Sequence, residues 1–168
     1  ATSGEMHLDE HNLMRSAAHL RTSLGIGYAP EDRVIFPTLS VQENLELPCE
    51  ILQLSSQEVE ERLAHVLDVV PQLKPMLSRS GAALSGGQGK MVALGRALMV
   101  GSAIVLLDEP FQGLAPALAL QYSEALGRLR TSRPDLSVVI TESNSALLTD
   151  IPNQILTIER GSFVEAIH

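Results

Sequence analysis

The sequence has no tryptophan, and aromatics make up only 3% of it. A platform for stacking single-stranded bases needs exposed aromatic rings, so that class is disfavoured. Positive charge is also scarce: the formal net charge is −8 and the pI about 5.0. Neutralising a phosphate backbone or an anionic membrane takes clustered Lys and Arg, so broad contact with nucleic acid is excluded. A single cysteine, Cys49, rules out an intramolecular disulfide framework and fits a reducing compartment. It stands in "PCE", with no basic neighbour and no histidine at motif spacing, and reads as a buried, unreactive thiol. The opening "ATSGEMHLDE" has neither a basic n-region nor an apolar h-region and does not read as a signal peptide. The longest near-apolar run, Val92–Leu107, is broken by Arg96 and by Gly95 and Gly101, which makes it a helix, turn and strand rather than a membrane span. No G-x-x-x-x-G-K-[ST] occurs, so these residues encode no P-loop phosphate cradle.

What is present is a globular pattern. The 168 residues suffice for one domain, and 45% apolar content is ordinary for a packed core. "EMHLD" alternates like a short strand, and residues 12–24 read as helical. "IGYAP" reads as a strand leading into a loop. "LSVQENLEL" opens a helix that Pro48 should end or bend. Ser55 and Glu58 are spaced as a capping box, and Val59, Leu63, Val66, Leu67 and Val70 form one apolar stripe behind it. Residues 71–83 are a connecting loop. A helix from about 86 to 99 buries Met91, Leu94 and Leu98. "AIVLLD" suits a parallel strand buried on both faces. Pro116 starts another helix, with Leu118, Tyr122, Leu126 and Leu129 on one side. "LSVVIT" repeats the buried-strand pattern, and "QILTIER" with "GSFVEAI" forms a closing hairpin. Strands alternating with helices imply an α/β fold with a mostly parallel sheet.

Two stretches carry candidate chemistry. Asp108 and Glu109 stand where a buried strand ends, and ligands of open α/β sheets bind beyond the carboxyl ends of strands. An aspartate there can hold Mg²⁺ through water, because Mg²⁺ dehydrates reluctantly. The next residue points elsewhere, so Glu109 can polarise an attacking water. An isolated "DEP" is equally an acidic solvated turn. In "LSGGQ", Ser85 can cap the following helix, Gly86 and Gly87 let backbone N–H groups approach an anion, and the helix N-terminus adds partial positive charge. By itself, Ser-Gly-Gly is also a simple turn. The pairing, one helix before "LLDEP", is the specific feature.

Other histidines carry less. "HLDEH", His7 to His11, matches the H-x-x-E-H zinc pattern, but that chemistry needs one continuous helix and a further ligand. Here the stretch crosses a strand end and a turn, and solvated turn residues are the better reading. His19 and His65 fall in helical patterns as surface or boundary residues.

Together these motifs resemble the ATP-binding subunits of ABC transporters. "LSGGQ" is similar to their signature motif, "IVLLDEP" to Walker B and "FQGLAP" to their D-loop. "GIGYAPEDRVIFPTLSVQENLEL" resembles the Q-loop region, and "LTIERGSFVEA" the final hairpin. "PEDR" and "GLAP" point to the importers of branched-chain amino acids or of urea and amides. The resemblance begins after Walker A. It therefore implies a partial P-loop ABC-ATPase fold over 1–168, with a helical subdomain at about 40–85 and with the N-terminal strands and Walker A helix missing. It implies a nucleotide contact at Glu31 and at Ser85, Gly86, Gly87 and Gln88, Mg²⁺ at Asp108, and catalytic roles for Glu109 and Ser143. Ser143 stands where the family has its switch histidine, and Gly89 where it usually has a longer polar residue. ATP and Mg²⁺ are the implied cofactors, in a complete or partner-completed site. The implied partners are a second ATP-binding subunit, head to tail, and transmembrane permease subunits at the cytoplasmic face of the membrane. The alternative is a degenerate domain that supplies a signature half-site or regulates a partner. A missing Walker A part should also leave the "AIVLLD" strand with an exposed flank or unpaired edge.

Overall fold

The computed structural model describes residues 3–144, 148 and 151–167, with side chains of the last strand described through Val164. A three-stranded parallel sheet lies at its centre, in the order β3-β4-β5: Ile26–Ala29, Ile104–Asp108 and Ser137–Thr141. Short β1 (His7–Leu8) and β2 (His11–Asn12) pair antiparallel, as do β6 (Ile155–Glu159) and β7 (Ser162–Ile167). The β6–β7 turn places Arg160 and Gly161 at φ 50° and 81°, the left-handed pair that a tight hairpin turn requires.

Each of the first helices is started by its own sequence. Ser40 caps α1 (Val41–Ile51) and Ser55 caps α2 (Ser56–Val69), each in a reciprocal capping box with the glutamate at the third helical position, Glu43 or Glu58. Only the second box is anticipated above. Pro48 does not end α1, which runs on to Ile51. The buried side chains Val41, Leu45 and Cys49 hold this helix against α3 (Gly86–Val100), and packing outweighs the lost hydrogen bond. Fully burying a side chain such as Leu45 contributes roughly 1.5–3 kcal/mol. Gly95 permits the close approach: a Cβ there would lie 2.8 Å from both Leu45 Cδ2 and Leu73 Cδ1. Arginines satisfy the helix ends, since Arg62 Nη1 donates to Met99 O and Arg128 Nε to Val69 O, each at 2.8 Å. The last helix, α4, spans Pro116–Ser132 and buries Tyr122, Leu126 and Leu129, while Leu118 is half-buried.

Several expectations are corrected. Residues 12–24 form no α-helix; they hold 3-10 turns at Ala18–Leu20 and Thr22–Leu24, closed by Gly25 at φ 78°. Neither turn buries a residue, so no apolar face is available to stabilise a longer helix there. The 71–83 connection likewise contains 3-10 turns at Pro71–Met76 and Gly81–Ala83. In β4 only Val105 and Leu107 are fully buried; the alternate residues are half-exposed, so one face is sealed and the other only partly covered. Strand β4 is also paired on both sides, not on an edge. The outer strands of the sheet are β3 and β5, and in β5 Val138 and Val139 are 37% and 48% exposed, against the buried strand expected there.

Candidate functional site

The parallel register aligns the carboxyl ends of the central strands. Asp108 pairs with Thr141, and the preceding residues run Tyr28, Leu106 and Val139 across the sheet. Each neighbouring strand therefore presents a hydroxyl to the same carboxylate. Thr141 Oγ1 donates to Asp108 Oδ1 at 2.6 Å, and Tyr28 OH donates to Asp108 Oδ2 at 3.3 Å. Burial, and then the Asp108 charge, push the Tyr28 phenol up, so it stays a donor.

Glu109 leaves the strand in a left-handed conformation, φ 44°. For a residue with a Cβ this costs of order 1–3 kcal/mol and persists only where neighbours over-determine it. They do so on every side. The Glu109 N–H donates to Thr141 O at 3.0 Å, Lys90 Nζ donates to Glu109 O, and the carboxylate oxygen Oε2 accepts from Ser143 N at 3.3 Å and Ser143 Oγ at 3.1 Å. Glu142, beside it, accepts the Phe111 N–H at 3.2 Å. Burial, followed by its hydrogen bond to Glu109, pushes the Glu142 carboxyl up. For Glu109 burial acts upward too, but the bonds from Ser143 and from Glu142 outweigh it and hold the carboxyl below its usual range. The two neighbouring carboxyls are thus pushed in opposite directions, Glu142 up and Glu109 down.

Ser85 stands at the N-cap of α3, as expected. Its Oγ accepts from Gln88 N at 3.3 Å and Gln88 Oε1 accepts from Ser85 N at 3.0 Å, a complete capping box. The first N–H groups of any helix lack intrahelical acceptors, so Gly86 and Gly87 carry anion-seeking donors. Met91, Leu94 and Leu98 are buried behind them. A Cβ on Gly86 would lie 3.0 Å from Arg33 Nη1, and one on Gly87 would lie 2.3 Å from Leu118 Cδ1, so both positions leave no room for a side chain without rearrangement. At Gly89 a Cβ would lie 3.3 Å from Arg33 Cδ and 3.7 Å from Ile35, a close fit that a small shift of the Arg33 side chain would accommodate.

Glu31 follows β3 and is exposed at the same end of the sheet as Asp108; its charge acts on Lys90 together with those of Glu142 and Glu109. Burial nevertheless pulls the Lys90 ammonium below its ordinary value. Glu31, Asp108, Glu109 and Ser143 therefore share one end of the sheet. Tyr28, Lys90, Thr141 and Glu142 join them without having been singled out from the sequence. The only sequence signal for Thr141 and Glu142 is their place beside Ser143. The "HLDEH" histidines fall on the paired strands β1 and β2 rather than on one helix, so helix-based zinc geometry is not formed.

The donor chemistry fits Mg²⁺ and a nucleotide in part. Carboxylate and hydroxyl oxygens suit a hard cation. Among the described residues no three metal-ligating side chains converge. A magnesium ion at Asp108 would thus keep waters and rely on substrate phosphates, its normal habit.

A carboxylate pair at a strand end of a parallel sheet, one helix after a Ser85-capped, glycine-rich N-terminus, stands where open α/β sheets bind their ligands. The chain belongs to the ABC transporter family, which matches residues 1–112. Over 95% of its length it is 30% identical to a probable branched-chain amino acid transport ATP-binding protein, LivF, of Archaeoglobus fulgidus, covering 66% of that protein. It is 31% identical to the high-affinity branched-chain amino acid transport ATP-binding protein BraG of Pseudomonas aeruginosa, over 98% of the chain and 69% of the relative. The lipopolysaccharide export system ATP-binding protein LptB of Escherichia coli is 32% identical over 84% of the chain and 58% of the relative. The chain thus spans between about half and two thirds of the length of the relatives it matches. Among solved structures, a dimeric ATP-binding cassette in a post-hydrolysis state with ADP and Pi superposes with TM-score 0.81 at 23% identity, over 99% of this chain and 73% of that one. The ADP conformation of an ATP-binding cassette of an ABC transporter superposes with TM-score 0.76 at 21% identity, over 98% and 68%. The fold is the α/β fold of these cassettes, present in part.

Proposed function

We propose that the chain is the signature and Walker B portion of an ATP-hydrolysing subunit that drives import of branched-chain amino acids. The observation that carries this reading is the Glu109 carboxylate, held by Ser143 at the end of β4 beside Asp108. In this reading Asp108, fixed by Thr141 and Tyr28, is the residue that would hold Mg²⁺, through water. Bound Mg²⁺ neutralises charge developing on the phosphates. Glu109 accepts a proton from water, and Ser143 keeps its carboxylate oriented. Ser85, Gly86, Gly87 and Gln88 offer a capped helix N-terminus to the γ-phosphate of a nucleotide held by a second subunit, head to tail. Glu31 lies where a Q-loop residue senses that nucleotide. Residues of about 40–85 form the helical subdomain. Permease subunits hold the protein at the cytoplasmic face of the membrane; among the described residues no helix is long and apolar enough to cross it.

The solute is the finer part of the proposal. The named functions of LivF and BraG favour branched-chain amino acids, whereas LptB serves lipopolysaccharide export. The test is uptake by vesicles carrying the transporter that contains this chain. Leucine should drive ATP turnover, and Glu109→Gln should stop turnover and uptake together. Turnover driven by urea or an amide, and not by leucine, overturns the solute; turnover that survives Glu109→Gln overturns the role of the site.

A further inference from the structure

Lys90 is a cation placed among carboxylates. It belongs to the first turns of α3, on the helix capped by Ser85, yet its ammonium reaches the carbonyl oxygen of Glu109 across the cleft. Glu31, Glu109 and Glu142 all act on its charge. The side chain is half-buried, lining a narrow crevice with Pro30, Asp108 and Tyr122. A buried ammonium that found no partner would be costly, so its placement is specified by what it touches.

What it touches is the strained peptide. Glu109 is held at φ 44° by an N–H bond to Thr141 O on one side and the Lys90 contact on the other. A left-handed residue with a Cβ is strained and persists where its surroundings over-determine it. If the carbonyl is released, the peptide can rotate and carry the carboxylate away from the Ser143 N–H and hydroxyl. Hydrogen bonds to an ionised group are the strong class, which suits Lys90 to this restraint.

We propose that Lys90 is a positioning residue for Glu109: from the signature helix, its bond to the Glu109 carbonyl locks the left-handed backbone that aims the Glu109 carboxylate at Ser143. The catalytic purpose of that aim rests on the function proposed above; the restraint itself does not. The same bond makes the start of α3 and the end of β4 one mechanical unit.

The experiment is amide hydrogen exchange by NMR on the 168-residue chain as Lys90→Met, Lys90→Gln and Lys90→Arg. Methionine and glutamine remove the ammonium, and arginine keeps a charged donor. In Lys90→Met and Lys90→Gln, exchange at the Glu109 and Ser143 amides should accelerate about tenfold or more, the loss expected for a charge-assisted bond. The amides of Leu94, Ala97 and Leu98 should stay as in the parent, and Lys90→Arg should restore protection at Glu109. Unchanged exchange at Glu109 and Ser143 in both neutral variants overturns the proposal. So does equal acceleration throughout α3, which would make Lys90 a general support of the helix. In vesicles, Lys90→Gln should lower kcat for ATP with little change in KM. Exchange changes of the expected kind with no ATP turnover in vesicles carrying the unsubstituted, complete transporter would uphold the restraint while overturning the hydrolytic reading.

Discussion

Ser143 donates twice to one oxygen of Glu109, from its N–H at 3.3 Å and from its hydroxyl at 3.1 Å. One residue, through its backbone and its side chain, thus gives this carboxylate both charge-stabilising donors and a fixed direction. Because the backbone donor survives substitution, Ser143→Ala should weaken rather than abolish ATP turnover in the assembled transporter. Loss of one hydroxyl bond is about 1 kcal/mol, or about a fivefold fall in kcat. Steady-state turnover beside Glu109→Gln checks this; a Ser143→Ala enzyme as inactive as Glu109→Gln contradicts it.

The 168 residues contain no G-x-x-x-x-G-K-[ST], and the β- and γ-phosphates of P-loop enzymes rest on that loop. Removing a single preorganised donor commonly costs about 10²–10³ in rate, so lack of the cradle should cost more. The 168-residue chain by itself should show no ATPase above background in a phosphate-release assay. Supplying a Walker A segment, fused or in trans, should bring activity that Glu109→Gln removes. An ordinary enzymatic rate from the chain alone would mean that other residues hold the phosphates.

Two glycines should respond oppositely to alanine. At Gly27 in β3 a Cβ would lie 2.2 Å from the backbone Ala97 O and 3.1 Å from Gly101 Cα, where β3 and α3 touch. Backbone cannot swing aside, so Gly27→Ala should destabilise by about 1–3 kcal/mol and lower Tm by several degrees. At Gly127, inside α4 with nothing within 4 Å, alanine should stabilise by roughly 0.5–1 kcal/mol. Thermal unfolding of both variants is the measurement.

Cys49 is fully buried between α1 and α3, its Sγ 3.9 Å from Met99 O. Burial pushes the thiol above its ordinary value, outweighing the lowering by Arg62. At pH 8 the thiolate is therefore scarcer than in a free cysteine. The native chain should react with Ellman's reagent only at the rate of unfolding, and fully in denaturant; fast native labelling would contradict this packing.

The capping boxes make a pH prediction. Hydrogen bonds from the Ser40 N–H and hydroxyl hold the Glu43 carboxyl below its ordinary value, and those from the Ser55 hydroxyl and N–H do the same for Glu58. A depressed folded-state pKa contributes stability that is present above the unfolded value, 4.5, and is lost as pH falls through the folded one. Glu43→Gln with Glu58→Gln should flatten the loss of helical stability below pH 4.5 and leave the behaviour above pH 6 little changed. Acid titrations followed by circular dichroism test this.

The sequence by itself determined where α2, α3 and α4 start and which segments become the strands of the parallel sheet. Ser55 with Glu58, and Ser85 before a glycine-rich turn, cap their helices through bonds spanning only a few residues. The apolar run to Leu107 and the carboxylates after it place Asp108 and Glu109 at a strand end because a strand stops where its apolar pattern stops. Local chemistry decides such features. Strand order is different, because hydrogen bonding between strands uses backbone that every residue has. Only the tertiary structure decided that β4 lies between β3 and β5, and that Val138 and Val139 of β5 are left exposed. Only the parallel register brought Tyr28 and Thr141 onto Asp108, and only the packing of α3 carried Lys90 to the carbonyl of Glu109. Residues 12–24 show the same division: a helical pattern without a surface to bury against closed into 3-10 turns.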